Sequence, residues 1–203
     1  PKHDFEMLYF NSDGIQSSLC GNGARCIVNF AFNLGIISEK TDFIAIDGLH
    51  QANLIDSDVS VKFNDISKIE LENNNMVIDS GSPHFIILHE DIDHININNE
   101  ARKIRNSKKY KSEGINVNFV NIDDVISIRT YERGVEAETL SCGTGAVATA
   151  VGLHYSKNIE DNIIELNTKG GILTVSFDEF NGCYKNIWLT GAVNLVYIGE
   201  FEC

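Results

Sequence analysis

Along this chain the spacing of apolar residues switches from strand-like to helix-like twice, in the same order. Residues 5–11 (FEMLYFN) are apolar and aromatic and predict a strand, and NSDG at 11–14 is turn chemistry. From Ala24 to Leu34 most positions are apolar or small, which predicts a helix buried on most of its faces and ended by Gly35. FIAIDG (43–48) and VSVKF (59–63) alternate as strands do, and MVIDSGSPHFIIL (76–88) reads as strand, tight loop and strand. A polar stretch covers 89–112. Its KIRNSKKYK run (103–111) predicts a surface helix with a loop and solvated charges. GINVNFVNI (114–122) and VISIRTYER (125–133) are again strand-like. Ala146–Tyr155 reads as a second buried helix, and IIELNT, GGILTVSF, IWLTG and AVNLVYIGEF predict short strands between turns.

Each predicted helix opens on the same pentapeptide pattern, CGNGA at 20–24 and CGTGA at 142–146. Strands, Cys-Gly-x-Gly-Ala, helix and strands therefore occur twice. The fold class implied is α+β: two pseudo-symmetric units, each a mostly antiparallel sheet wrapped around a buried central helix, with a cleft between them. The first unit is short of strands before its helix, so N-terminal strands are expected to be missing from these 203 residues.

Composition narrows the partners. A net charge of −13 disfavours nucleic acid and anionic membranes, which select basic surfaces. No apolar run approaches the ~20 residues of a membrane span. Residues 1–10 lack the basic-then-apolar order of a secretory signal. The five cysteines (Cys20, Cys26, Cys142, Cys183, Cys203) are an odd number and include no C-x-x-C pair. Reduced thiols and a cytoplasmic location are expected, and no metal site.

The doubled motif suggests chemistry. The first turn of a helix has unpaired N–H groups and the positive end of the dipole, so it attracts a carboxylate. A cysteine there should ionise more readily than a free thiol. Two such ends facing one substrate could hold an α-carboxylate between them. One thiolate could then remove the α-proton while the other thiol protonates the opposite face. That inverts a stereocentre without metal or organic cofactor.

The motifs NSDG-x5-CGNGARC (11–26), GSPH (81–84), GINVNFV (114–120), YERG (131–134) and ETLSCGTGA (138–146) together resemble diaminopimelate epimerase over almost the whole chain. The resemblance implies a cofactor-independent isomerase that interconverts LL- and meso-diaminopimelate for lysine and peptidoglycan-precursor synthesis. It implies Cys20 and Cys142 as the catalytic thiols. The carboxylate cradle would be the backbone of Gly21, Asn22, Gly143 and Thr144. Asn11, Asn116 and Arg133 would bind the distal amino-carboxylate, and Glu132 the reacting amino group. His84 would sit near the thiols and support proton movement. The family also implies a homodimer and a last strand that returns to the first half. This places 1–66 with 193–203 in one domain and 67–192 in the other. Ser82 stands where the family often has Asn and is carried as a candidate substrate contact. The loop GVEAET (134–139) is one residue longer than the commonest form. The family's opening strand with a Gly-Asn-Asp-Phe motif and its following Gln are not found, so the chain is expected to be a fragment of a longer product.

Rival readings remain at this level. A proline racemase-like enzyme shares the two-thiol logic, and a truncated, inactive relative would keep only a carboxylate pocket. A phosphate loop is weak, since Cys-Gly-x-Gly-Ala lacks the Lys-Ser/Thr of a P-loop. Cys26, Cys183 and Cys203 read as ordinary small hydrophobes.

Overall fold

The computed structural model describes residues 3–10, 14, 16 and 19–200. The elements in order are β1 (Phe5–Glu6), α1 (Gly21–Asn33), β2 (Lys40–Ala45), β3 (Gly48–Ile55), β4 (Asp58–Lys62), β5 (Ile69–Glu72), β6 (Asn75–Asp79) and β7 (Pro83–Leu88). They continue as α2 (Ile97–Arg105), β8 (Asn116–Asn121), β9 (Ser127–Glu132), β10 (Ala137–Thr139), α3 (Gly143–Tyr155), β11 (Ile163–Thr168), β12 (Gly171–Phe180) and β13 (Cys183–Ala192). The strands form one curved sheet in the order β1-β2-β3-β4-β13-β12-β11-β9-β8-β7-β6-β5, with β10 pairing beside β9. Pairing is antiparallel except at β1–β2, β7–β8 and β9–β11. Among the described residues no helix is long and apolar enough to cross a membrane.

The sheet curls around α1 at one end and α3 at the other. β3 and β4 pack on α1, while β6, β7, β8, β11, β12 and β13 pack on α3. The join between these regions is the β4–β13 ladder, where Lys62 to Asp58 face Trp188 to Ala192. The composition of α3 explains how a sheet can close around it. Every residue from Gly143 to Leu153 is buried, and nearly all are Gly, Ala, Thr or Val. At Gly152 a Cβ would meet Met76 Sδ at 3.1 Å and Ile78 Cδ1 at 3.2 Å, so the sheet lies almost against the helix backbone.

The first helix departs from the prediction. Its buried residues are Gly21, Ala24, Arg25, Val28 and Ala31, a single face at helical spacing, while Phe30 and Phe32 are exposed. An apolar run does not itself decide how many faces are covered; that depends on how many strands surround the helix. The strand predicted over 192–201 is also corrected. Only Ala192 is in a strand, and 193–200 form no regular element. Leu195, Val196, Tyr197 and Ile198 are exposed. Strand character needs a partner edge, and none pairs with this stretch among the described residues. The strand predicted over 5–11, of which Asn11 lies outside the described residues, shortens to Phe5–Glu6. The long β3 was not predicted, because GLHQANLI lacks clean alternation.

Strand β8 shows how the fold builds its site. It is buried on both faces. Val117 and Phe119 face α2 in a small outer core with Phe85, Ile97 and Tyr131. The alternate residues, Asn116 and Asn118, face the start of α3 instead. Two asparagines in an otherwise apolar strand are therefore inward-pointing groups at a helix end.

The two central helices meet at their N-termini. A Cβ on Gly143 would lie 2.8 Å from Leu189 Cδ2 and 3.0 Å from the Cα of Gly21. The backbone of α1 cannot yield as a flexible side chain could. Gly143→Ala is expected to destabilise the fold by about 1–3 kcal/mol through overpacking, measured by urea unfolding. An unchanged midpoint would show that the helix ends are not held in contact.

Candidate active site

Cys20 and Cys142 are the N-cap residues of α1 and α3, both with extended backbone. Ala24 N–H donates to Cys20 O at 2.7 Å, and Ala146 N–H donates to Cys142 O at 2.9 Å, so each helix starts at its cysteine. The Cys20 thiol accepts from Gly23 N–H at 3.3 Å. Between the helix ends lies a cavity of about 590 Å³, and both thiols line it. Gly21, Asn22, Gly143 and Thr144 also line it, at the turns whose N–H groups have no intrahelical acceptor. Asn22 ties one end to the other, its amide donating to Ser141 O at 2.9 Å.

The two thiols sit in different surroundings. Cys142 is buried, and its thiol is pushed up to about 12, first by burial and then by the negative charge of Glu132; contacts with Thr144 and Gly145 oppose this only in part. The expected readier ionisation at a helix start is therefore overturned at Cys142. Desolvation and an adjacent carboxylate outweigh the helix end. Glu132, the last residue of β9, accepts a short hydrogen bond from the Thr139 hydroxyl, and burial raises its own carboxyl. On the other side, Tyr9 is pushed up to about 12 by burial and by the negative charge of Cys20.

Behind Cys142 runs a chain of hydrogen bonds. The Cys142 Sγ is 3.4 Å from Thr144 Oγ1, and that hydroxyl is 2.9 Å from His84 Nε2. His84 Nδ1 lies 3.3 Å from Asn118 Oδ1, while the Asn118 amide donates to Gly145 O and Thr149 Oγ1. Since Asn118 uses its N–H groups there, its oxygen must accept from His84 Nδ1–H, which leaves Nε2 to accept from Thr144. His84 is fully buried, and desolvation lowers it to about 3, so it is neutral. His84 lies near Cys142, as the resemblance implies, but is separated from its thiol by the Thr144 hydroxyl and is not among the residues lining the cavity. It acts on the site through Thr144.

Ser82, Asn116 and Arg133 line the cavity as well. Asn116 Oδ1 accepts from Arg133 N–H at 2.9 Å, and its amide donates to Ser82 Oγ at 2.9 Å. Asn116 thus braces its neighbours as well as facing the cavity. The Arg133 guanidinium donates to Glu113 O at 3.0 Å and has no carboxylate partner among the described residues. Its remaining donors suit a carboxylate. Asn11 lies outside the described residues.

Sequence reasoning missed part of the wall. Arg105, read as a solvated charge, lines the cavity with Nε donating to Glu136 Oε1 at 3.1 Å. Glu136 sits in the lengthened loop at a φ of 59° and also accepts from the Tyr131 hydroxyl at 3.0 Å. Tyr9, Glu113, Thr139 and Ser141 line the cavity as well. Thr139 and Ser141 flank the second motif, which was the available signal; the others reach the site only through tertiary contacts.

The two shifted groups set a pH window. His84 titrates at 6.5 when exposed and about 3 here, so its contribution is intact above 6.5 and is lost as pH falls toward 3. Its ceiling is about 5 kcal/mol. Cys142 moves from 9.0 to about 12, so its contribution is intact below 9.0 and is lost as pH rises toward 12. Denaturant unfolding should therefore show stability falling toward acid below 6.5 and toward alkali above 9.0, and Cys142→Ala should flatten the alkaline fall. Glu132→Gln removes the nearby negative charge and should make Cys142 alkylate at lower pH, read by peptide mass spectrometry.

Residues 76–196 match the family model described as diaminopimelate epimerase. The chain is 45% identical over 197 residues to the diaminopimelate epimerase of Flavobacterium psychrophilum, covering 96% of this chain and 77% of that protein. It is 36% identical over 215 residues to the diaminopimelate epimerase of Aquifex aeolicus, covering 100% and 76%. Among solved structures, a Bacillus anthracis phenazine biosynthesis protein of the PhzF family superposes with a TM-score of 0.69 at 14% identity, over 94% of this chain and 78% of that one. A hydroxyproline epimerase from Agrobacterium vitis gives 0.66 at 14% identity, over 92% and 67%. These two likenesses show the shared fold, with mostly β-sheet and few helices. The sequence matches show more: this chain belongs to the diaminopimelate epimerase family of isomerases.

Proposed function

We propose that the chain interconverts LL- and meso-diaminopimelate by moving the α-proton between Cys20 and Cys142, without a cofactor, in the supply of lysine and peptidoglycan precursors. The observation that carries this reading is the convergence of two cysteine-capped helix N-termini on one cavity. The α-carboxylate sits between the helix ends, against the first-turn N–H groups of Gly21, Asn22, Gly143 and Thr144. Those dipoles are in place before reaction, so they stabilise the charge that develops on the carboxylate as the proton leaves. The α-carbon then presents one face to each thiol.

The different surroundings of the two thiols support different starting roles. Cys142 rests as a thiol beside Glu132 and is the proton donor. Cys20 receives Gly23 N–H, the bond a thiolate needs, and is the base. The substrate ammonium pairs with Glu132 and offsets the negative charge that raises Cys142. Binding therefore brings the two thiols closer in acidity, as a reversible reaction requires. His84 is a positioning residue. Its neutral ring fixes the Thr144 hydroxyl so that its oxygen lone pair faces Cys142.

The cavity lining favours diaminopimelate over a cyclic amino acid. Arg133 lines the same cavity with guanidinium donors that suit a second carboxylate, which diaminopimelate carries and proline lacks. In D2O the protein should place deuterium on the α-carbon of LL- and meso-diaminopimelate and leave L-proline unlabelled, by mass spectrometry. Exchange with proline and none with diaminopimelate would overturn the assignment. Cys20→Ala and Cys142→Ala should each lower kcat by at least about 10²–10⁴-fold. Arg133→Lys should act mainly on KM, since a point charge replaces the two-pronged guanidinium.

A further inference from the structure

The one buried polar side-chain atom without a hydrogen-bond partner among the described residues is Nε of Arg25. Arg25 lies in α1 behind the helix end and is 6% exposed. Nη2 donates to Asn22 Oδ1 at 2.8 Å, and Nη1 makes a long contact with Gly21 O at 3.4 Å. No carboxylate lies within ion-pair distance of it among the described residues. Room for the guanidinium comes from β13, where a Cβ on Gly191 would stand 3.3 Å from Arg25 Nε. The ionisable groups whose charge reaches it are Cys26, Cys20 and Asp58.

An isolated buried cation is among the least favourable groups a fold can hold. Packing alone would be served as well by an apolar side chain of the same length. The location shows what offsets it. The guanidinium stands directly behind the Cys20 turn and grips the side chain of Asn22, whose other end is bonded to Ser141 before the second helix. The anions this placement would serve are those of the proposed reaction, the Cys20 thiolate and the substrate carboxylate.

We propose that Arg25 is a positioning residue that serves as the fixed internal counter-charge of the site, favouring the Cys20 thiolate and the carboxylate-borne charge while holding Asn22 across the two helix ends. It touches neither substrate nor thiol. This rests on the two-thiol reading above, but one arm of its test needs no substrate.

The test compares wild type with Arg25→Met and Arg25→Lys. The first arm is the pH dependence of Cys20 alkylation by iodoacetamide, read on the Cys20 peptide. Arg25→Met should move its midpoint up by about one pH unit, and Arg25→Lys should recover much of that. In steady-state epimerisation, Arg25→Met should lower kcat about 10- to 100-fold with little change in KM. Its thermal midpoint should equal or exceed that of wild type, since an unpaired buried charge has been removed. An unmoved alkylation midpoint, or lost activity that tracks a lower thermal midpoint with no shift in the pH profile, would overturn the proposal. A shifted Cys20 midpoint in a protein that exchanges no diaminopimelate proton would instead sink the two-thiol function and uphold the counter-charge.

Discussion

The contact of Gly21 with Gly143 is the constraint on which the site depends. With no Cβ at either position, the first turns of α1 and α3 approach to backbone contact. Each helix is capped by a cysteine one residue earlier. Bringing the helix ends together therefore brings the thiols to one cavity and aims both sets of free N–H groups into it. The sheet exists to hold that approach. Its β4–β13 ladder joins the surroundings of the two helices, and Leu189 on β13 packs against the glycine contact itself.

Two positive helix ends pressed together repel each other, a cost that an anion bound between them would offset. Other unfavourable features lie nearby. Cys142 is buried beside a carboxylate, Arg25 has no ionic partner among the described residues, and His84 is held neutral far below its ordinary range. Each sits within one or two residue contacts of the cavity. Away from it the interior is mainly apolar, with Phe43, Ile86, Val151 and Leu166 all essentially inaccessible, and the buried His50 there is paired with Asp47. Strain of this kind, confined to one place, is what a site with preorganised charge requires.

Much of this could be read from residues. The doubled Cys-Gly-x-Gly-Ala placed both helix starts, and small residues from Gly143 to Leu153 foretold a helix enclosed by sheet. All of the predicted carboxylate cradle lines the cavity. Residues 24–34 carry Arg25, Asn29 and Asn33 among their apolar positions while 146–155 carry only Thr149 and His154, and α1 is accordingly covered on one face and α3 on all. What could not be read depends on tertiary neighbours. AVNLVYIGEF has strand composition, but pairing is a property of an available edge. The direction of the Cys142 shift is of the same kind. Helix-end chemistry predicted easier ionisation, while burial and Glu132, unseen in sequence spacing, act more strongly in the other direction. Arg105 was hidden by its basic neighbours, and Arg25 passed as part of a motif until its lack of a partner became visible.

The central claim is that two different groups serve the two faces of one α-carbon. Initial-rate turnover in D2O tests it directly, with substrate and product separated and their α-hydrogens analysed before equilibrium. With two thiols facing each other, the product should carry a solvent deuteron and the recovered substrate its original proton. Equal labelling of recovered substrate and product, or product that keeps the substrate's own proton, would show a single acid–base group and contradict the account.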